Sequence, residues 1–224
     1  MRPIRIALTK GRLEKKSITL FETMGLDCTA LREKGRKLIL PIDGDDGFTL
    51  DAILAKSTDV VTYVRHGACD FGIVGKDTLA ENGAGVYEVL QLPFGACRFA
   101  LAGKKGTDFY AGHHERTIAT KYPAVARRFF AQKGMDVKII KIEGSVELAP
   151  LLGLSDAIVD IVETGGTLAA NGLEVIEDIQ QISARVIANV ASMKLRHAQM
   201  KALLDDMTAA MAVAEFQTTS GGRS

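Results

Sequence analysis

Cysteine is scarce in this chain of 224 residues, with only Cys28, Cys69 and Cys97. They are odd in number and far apart, with neither a CxxC pair nor a nearby histidine at zinc-ligand spacing, so reduced thiols are expected rather than a disulfide framework or a zinc site. An excess of either charge is also missing: 28 Lys and Arg stand against 27 Asp and Glu. Without a global basic field there is no nonspecific pull on nucleic acid, and any bound anion has to be held locally. The opening MRPIRIALTKGRLEKK carries an apolar run of only Ile6–Leu8, too short for a signal peptide or a membrane span, so a cytoplasmic protein with no membrane partner is expected. No internal repeat is found. The tail Gln217–Ser224, QTTSGGRS, is the one low-complexity segment and is expected to be disordered. What is present is an ordinary folded composition, 47% hydrophobic and 25% charged, long enough for one large domain or two small lobes.

Strand and helix patterns alternate. Ile4–Leu8 reads as a strand, Lys10-Gly11-Arg12 as a turn, and Leu13–Met24 as an amphipathic helix stopped by Gly25. Lys37–Leu40 and Thr49–Leu54 read as short strands around the DGDDG turn at Asp43–Gly47. Ser57 or Thr58 caps a helix running to His66, and Cys69–Val74 is a strand ending at Gly75-Lys76-Asp77. Further strands are Val86–Leu92, Arg98–Ala102, Thr117–Ala119, Val137–Ile142 and Ile182–Asn189. Pro123 starts a helix through Lys133, Gly144-Ser145 opens a short one through Leu152, and Ser192 caps a long last helix. This alternation implies an α/β fold with mostly parallel sheets, whose ligands gather at the carboxyl ends of strands. Polar turns containing glycine stand at three such ends: Thr9–Arg12, Gly75–Asp77 and Glu163–Thr167.

The most informative stretch is Asp156–Asn171, DAIVDIVETGGTLAAN. An apolar β-branched run, Ala157–Val162, breaks into Glu163 and then Thr164-Gly165-Gly166-Thr167 before the composition turns helical. Glycine allows close backbone approach and positive φ, a helix start offers N–H groups, and the two threonines add hydroxyls, which together make a cradle for one phosphate. Glu163 would repel a bare anion, so a ligand that also carries hydroxyl donors, such as a ribose phosphate, fits better. Asp160 is either a second acidic ligand or a charge satisfied at a sheet edge or subunit contact. Lys10 and Arg12 are either ligand-binding cations or a solvated basic turn.

Several segments carry a family resemblance: IALTKGRL at Ile6–Leu13, GRKLIL at Gly35–Leu40, DVVTYVRHGACDFGIVGKDTL at Asp59–Leu79, IATKYPAVARRFF at Ile118–Phe130, KIEGSVELAPLLGLSDAIVDIVETGGTLAANGL at Lys141–Leu173, and the late SARVIAN. Collinear over nearly the whole chain, they resemble the ATP phosphoribosyltransferase family. The resemblance implies a two-lobed, periplasmic-binding-protein-like (type II) fold with the active site in the interlobe cleft. Lobe one, on the nucleotide side, would comprise residues 1–92 and 178–224, and lobe two, with the phosphate loop, 93–177. The implied reaction transfers the phosphoribosyl group of PRPP to N1 of the ATP adenine, giving phosphoribosyl-ATP and pyrophosphate, with Mg2+ bound through the pyrophosphate. The length resembles the short form, which implies a regulatory subunit resembling histidyl-tRNA synthetase and a homodimer within a hetero-oligomer.

Site residues follow from motif positions. Arg12 and Arg36 are the candidates for gripping phosphates and stabilising departing pyrophosphate, since a guanidinium stays charged and holds two oxygens; for Arg36 a surface ion pair is the alternative. Asp160, Glu163, Thr164, Gly165, Gly166 and Thr167 are assigned to PRPP. ATP and pyrophosphate are assigned to Lys10, Gly11, Lys56, Gly75, Lys76, Asp77, Glu143 and Ser145, with Asp77 alternatively a helix N-cap. At Lys56 relatives more often carry arginine followed by Asp-Val/Ile-Pro; lysine keeps the charge and loses the fork. His66, His113, His114 and His197 show no catalytic pairing, and solvated or capping roles are expected. A type I phosphoribosyltransferase and a two-lobed solute- or effector-binding domain without chemistry are the rival readings.

Overall fold

The computed structural model describes residues 2–112 and 114–220. The chain divides into one unit built from residues up to Gly95 and from Ser183 onward, and another spanning Ala96–Ile182. In the first unit the elements are β1 (Ile4–Thr9), α1 (Arg12–Thr23), α2 (Thr29–Glu33), β2 (Ile39–Asp43), β3 (Thr49–Ala55), α3 (Ser57–Arg65), β4 (Phe71–Gly75), α4 (Lys76–Asn82) and β5 (Tyr87–Gln91). The second unit follows with β6 (Cys97–Lys104), β7 (Arg116–Thr120), α5 (Pro123–Gln132), β8 (Val137–Lys141), α6 (Leu148–Leu151), β9 (Ala157–Val162), α7 (Gly166–Ala170) and β10 (Leu173–Ile182). The chain then returns to the first unit as β11 (Ala184–Ala188), α8 (Val190–Leu195) and α9 (His197–Ser220).

The first sheet has the order β2-β3-β1-β4-β11-β5 and the second β10-β6-β9-β7-β8. Among the described residues only the pairs of β1 with β3 and β4, and of β7 with β8 and β9, are parallel. The expected mostly parallel sheets are therefore mixed, because β2, β6 and β11 run against their neighbours. In the first sheet, Ile6, Leu8, Ile73 and Val186 pack with α1 and α9 through Phe21, Met200 and Leu203, while Ala7, Val74 and Ile187 pack on the other face against Val60, Val61 and Val64 of α3. Burial on both faces explains why β1 and β4 read as nearly continuous apolar runs. The second sheet packs Ile158, Val162 and Ala119 against Leu168 of α7, and α5 contributes the ring pair Phe129–Phe130.

Several boundaries differ from the sequence expectation. The division between units falls after Gly95 and Ile182, because β10 pairs with β6 as far as Ile182 opposite Cys97. β10 itself is hidden in the sequence: it is a sheet edge with irregular register between Val175 and Glu177 and between Asp178 and Gln180, so its apolar residues do not alternate cleanly. The long last helix is two, and the cap belongs to Asn189, whose side chain accepts from the Ser192 N–H. Lys56 occupies the N-cap of α3 in place of Ser57 or Thr58. Of the tail expected to be disordered, Gln217–Ser220 fall in α9 and 221–224 lie outside the described residues, as does His113. Cys28, Cys69 and Cys97 form no disulfide among the described residues, and burial pushes the Cys28 and Cys69 thiols up to about 11, which leaves those two unreactive.

Asp70, immediately before β4, is fully buried. Its carboxylate accepts from both Nη atoms of Arg2 (2.7 and 3.1 Å), the Arg5 N–H (2.9 Å), Ser192 Oγ (2.7 Å) and Arg196 Nη1 (3.1 Å). Burial alone would raise its pKa, but the donors, Arg2 foremost, outweigh burial and hold it below the ordinary range. Asp70→Asn should cost about 3–5 kcal/mol by leaving guanidinium groups uncompensated, read as a lower urea midpoint. Since a depressed carboxylate pKa gives stability that is lost on acidification, the gap between the two proteins should narrow as pH falls through the acid range.

Candidate active site

Thr9 stands opposite Ala55, and Leu8 opposite Ile73, so the turns after β1, β3 and β4 open on one edge of the first sheet. Lys10 N–H donates to the Ala55 carbonyl (3.0 Å), and Thr9 Oγ1 to that of Ile73 (2.9 Å). Gly11 takes φ 95°, a conformation suited to glycine, and its N–H donates to Glu14 Oε2 at 3.2 Å. The buried Glu14 carboxylate also pairs with Lys34, which ties the loop before β2 to the turn after β1. The result is a depression of about 710 Å³ whose walls include Lys10, Gly11, Lys15, Lys34, Arg36 and Lys37. Among the described residues Lys10, Lys15, Arg36 and Lys37 have no carboxylate partner, so the ion-pair alternative for Arg36 finds no support.

The other candidates of this unit lie around that depression. Arg12 is exposed as the first residue of α1 and does not line it. Lys56 is exposed in the neighbouring turn after β3. Gly75 holds the N-cap of α4, which displaces Asp77 from that alternative; a Cβ at Gly75 would come within 2.0 Å of Asp77 Oδ1. Lys76 pairs with Glu88, whose other oxygen takes Arg185 Nε at 2.7 Å. Burial alone would raise the Glu88 pKa, but these two cations hold it low.

In the second unit β9 is the middle strand, between β6 and β7, so Asp160 does not lie at a sheet edge. Its half-buried carboxyl has no cation in salt-bridge contact among the described residues. Burial pushes its pKa up to about 6, with the Ile161 N–H pulling it down, Glu147 adding to the rise and Lys121 opposing it. Beyond Val162 the backbone turns through Gly165, at φ 80° the N-cap of α7, and the Gly166 N–H reaches Thr164 Oγ1 at 3.4 Å. In the first turn of α7 the N–H groups of Thr167 and Leu168 have no intrahelical acceptor, and Glu163, Thr164 and Thr167 are exposed. The strand end, the positive-φ glycine and the helix start that the sequence implied are all in place.

Glu143 and Ser145 lie in the loop after β8, two strands from β9 on the same edge, roughly 10 Å away. Lys141 pairs with the exposed Glu143 at 2.6 Å and lowers its pKa. Ser145 precedes α6, which begins only at Leu148. Sequence reasoning missed Lys121 after β7, between these loops, and Lys15, Lys34 and Lys37. Lys121 had a signal, a cation at a strand end in ATKYP; Lys34 is tied to the turn after β1 through Glu14, a contact that no local pattern shows. His66 is the C-cap of α3, as a capping role required, whereas His114 is not simply solvated, since it contacts Arg116 and lies 3.6 Å from Asp156.

Residues 56–209 match the family model HisG: ATP phosphoribosyltransferase. The ATP phosphoribosyltransferase of Clostridium kluyveri is 55% identical over 204 residues, covering 91% of this chain and 92% of its own length. The chain belongs to this family. The Clostridium acetobutylicum ATP phosphoribosyltransferase is 59% identical over 192 residues, 86% of this chain and 88% of its own. A chain of the ATP phosphoribosyl transferase (HisG:HisZ) complex from Thermotoga maritima superposes with a TM-score of 0.77 at 34% identity, covering 93% of this chain and 98% of that one. The periplasmic aliphatic sulphonate binding protein SsuA of Escherichia coli superposes at 0.60 with 11% identity, covering 98% and 76%, a likeness of fold alone. The two-unit, periplasmic-binding-protein-like expectation therefore holds. The activity is that of an ATP phosphoribosyltransferase, a pentosyltransferase at the first step of histidine biosynthesis, which sets the rival readings aside.

Asp160 carries a testable signature. Its folded-state pKa lies above the ordinary aspartate value, so stability is full below about pH 4, falls as pH rises to about 6 and stays lower beyond it. Asp160→Asn should be more stable than the parent by roughly 1–3 kcal/mol at about pH 8 and equal to it at about pH 4. Urea unfolding at the two pH values checks this; a difference independent of pH would contradict it.

Proposed function

We propose that the Glu163–Thr167 loop holds the 5′-phosphate and ribose hydroxyls of PRPP, with Asp160 as a second acceptor. In the same reading, the cationic depression of the first unit receives the phosphates of ATP and the departing pyrophosphate. The observation that carries this reading is the segregation of chemistry: cations without carboxylate partners in one unit, backbone N–H groups with acids in the other. As N1 of adenine bonds to the ribose carbon, the carbon–oxygen bond to pyrophosphate breaks, so positive charge develops on the sugar and negative charge on the leaving group. The carboxyl groups of Asp160 and Glu163 suit the first, and Arg12 and Arg36 the second.

No nucleophilic side chain is needed, and the N1 lone pair makes a general base dispensable. Lys10, Gly11 and Lys56 are assigned to phosphates beside Arg36. Gly75, Lys76 and Asp77 are assigned to the nucleotide, and Glu143 and Ser145 to ribose or adenine. Among the described residues no three His, Cys, Asp or Glu side chains cluster as metal ligands. Mg2+ favours phosphate oxygens with few protein carboxylates, so we assign it to the substrate pyrophosphate, where it would neutralise charge. The Thermotoga maritima neighbour belongs to a HisG:HisZ complex, which supports a regulatory partner here; a homodimer within that hetero-oligomer, in the cytoplasm, completes the reading. Among the described residues no helix is long and apolar enough to cross a membrane.

Mixing the pure chain with PRPP, ATP and Mg2+ should produce the ultraviolet absorbance of phosphoribosyl-ATP; its absence, with and without the partner, would defeat the reading. Arg36→Ala should lower the single-turnover rate roughly 100-fold with the fold intact, and an unchanged rate would remove Arg36 from the mechanism. The isolated chain should be insensitive to histidine, so inhibition of the purified subunit would contradict the need for a partner in feedback.

A further inference from the structure

A second cavity, of about 350 Å³, lies at the opposite end of the second sheet, where β6 ends and β7 and β9 begin. The six residues of β9 put it roughly 20 Å from the phosphate loop. One wall is firmly built. Asp156 Oδ2 accepts from the Thr117 N–H at 2.7 Å, Asp156 N–H donates to the Thr117 carbonyl at 2.8 Å, and the Arg116 guanidinium lies 5.4 Å from the Phe109 ring centre. Arg116 is already committed, to the Ala111 carbonyl and His114.

Between these fixed groups Ser155 is only 8% exposed, and its Oγ is buried without a hydrogen-bond partner among the described residues. A buried hydroxyl left unmet is costly and rare, so it points to a group the chain itself does not supply. Lys104 lines the same space and has no carboxylate partner among the described residues. Phe109, Leu154 and Ile176 make the rest of the wall apolar.

We propose that this cavity binds a small organic monocarboxylate, its carboxylate held by Lys104 and the Ser155 hydroxyl and its apolar part against Phe109 and Ile176. The volume suits a ligand of amino-acid size. Asp156 in the wall disfavours a dianion such as phosphate, since one uncommitted cation would face it alone.

Calorimetric titration of the full chain with 4-methylpentanoate, its neutral amide and inorganic phosphate tests this. Saturable binding of the carboxylate is expected, at least tenfold tighter than the amide or phosphate. Ser155→Ala and Lys104→Met should each weaken it at least tenfold while PRPP binding stays unchanged. Lys104 is exposed, so its variant keeps the test decisive if Ser155→Ala does not fold. No saturable carboxylate binding, equal binding of the amide, tighter binding of phosphate, or unchanged affinity in Lys104→Met would each overturn the proposal. So would an equal loss of PRPP binding, which would mark the effect as global.

Discussion

The Asp70 carboxylate fixes the frame on which the first unit's chemistry stands. A carboxylate without solvent is tolerated only where its lone pairs are met. At Asp70 the donors come from chain segments far apart in sequence: Arg2 and Arg5 at the start of β1, and Ser192 and Arg196 in the returning helices. The backbone of the same residue joins in, since Asp70 N–H donates to the Arg5 carbonyl and its own carbonyl accepts from Asn189. One buried charge thereby sets the register of β1 against β4. A one-residue slip would turn each β1 side chain to the opposite face and would move Lys10 off the level of Gly75. The turns at one end of the sheet are aligned because the charge at the other end is satisfied.

Glu14 does for the loops what Asp70 does for the strands. By accepting from Gly11 and pairing with Lys34, it brings two cationic segments, separated by α1 and α2, to one wall. Repulsion among so many cations would spread them apart; a buried carboxylate in their midst offsets part of that repulsion while pairing, among the cations, with Lys34 alone of the described residues. In the proposed assignment, long flexible lysine and arginine side chains serve the pyrophosphate, which moves as its bond breaks. The 5′-phosphate keeps its place through the reaction, and a rigid backbone cradle suits a group that does not move.

Local features of the sequence were legible and long-range ones were not. β9 and the Gly165 turn stand where an apolar β-branched run meets TGGT, because strand, positive-φ glycine and helix start are each written in consecutive residues. The edge strand β10 was illegible because its irregular register removes the two-residue period, and α4 because the residues after Gly75 resemble a polar turn. Sheet direction was misjudged for a related reason: alternating strands and helices do not reveal that β2 and β11 enter antiparallel. Of the residues lining the cationic depression, Lys10 and Arg36 were singled out from their motifs. That Lys34 joins them depends on Glu14, a contact across twenty residues of chain that no local pattern encodes.

In the proposed role of Asp160, stability and function oppose each other. In a middle strand its carboxyl is partly desolvated, and the nearest charges disagree, Glu147 raising its pKa and Lys121 lowering it. For folding alone a neutral side chain would serve better. In the proposed role the deficit is what makes the group useful: a carboxylate short of partners gains more from a ribose hydroxyl, or from positive charge growing on the sugar, than one already satisfied. That gain is largest when the charge appears, at the transition state. Glu163, exposed to solvent, holds no such reserve. Of the two acids, the half-buried one therefore has more to contribute to the rate in this role and the exposed one more to orientation. The destabilised carboxylate belongs on β9 because the hydrogen-bonded strands on both sides keep it from relaxing toward water.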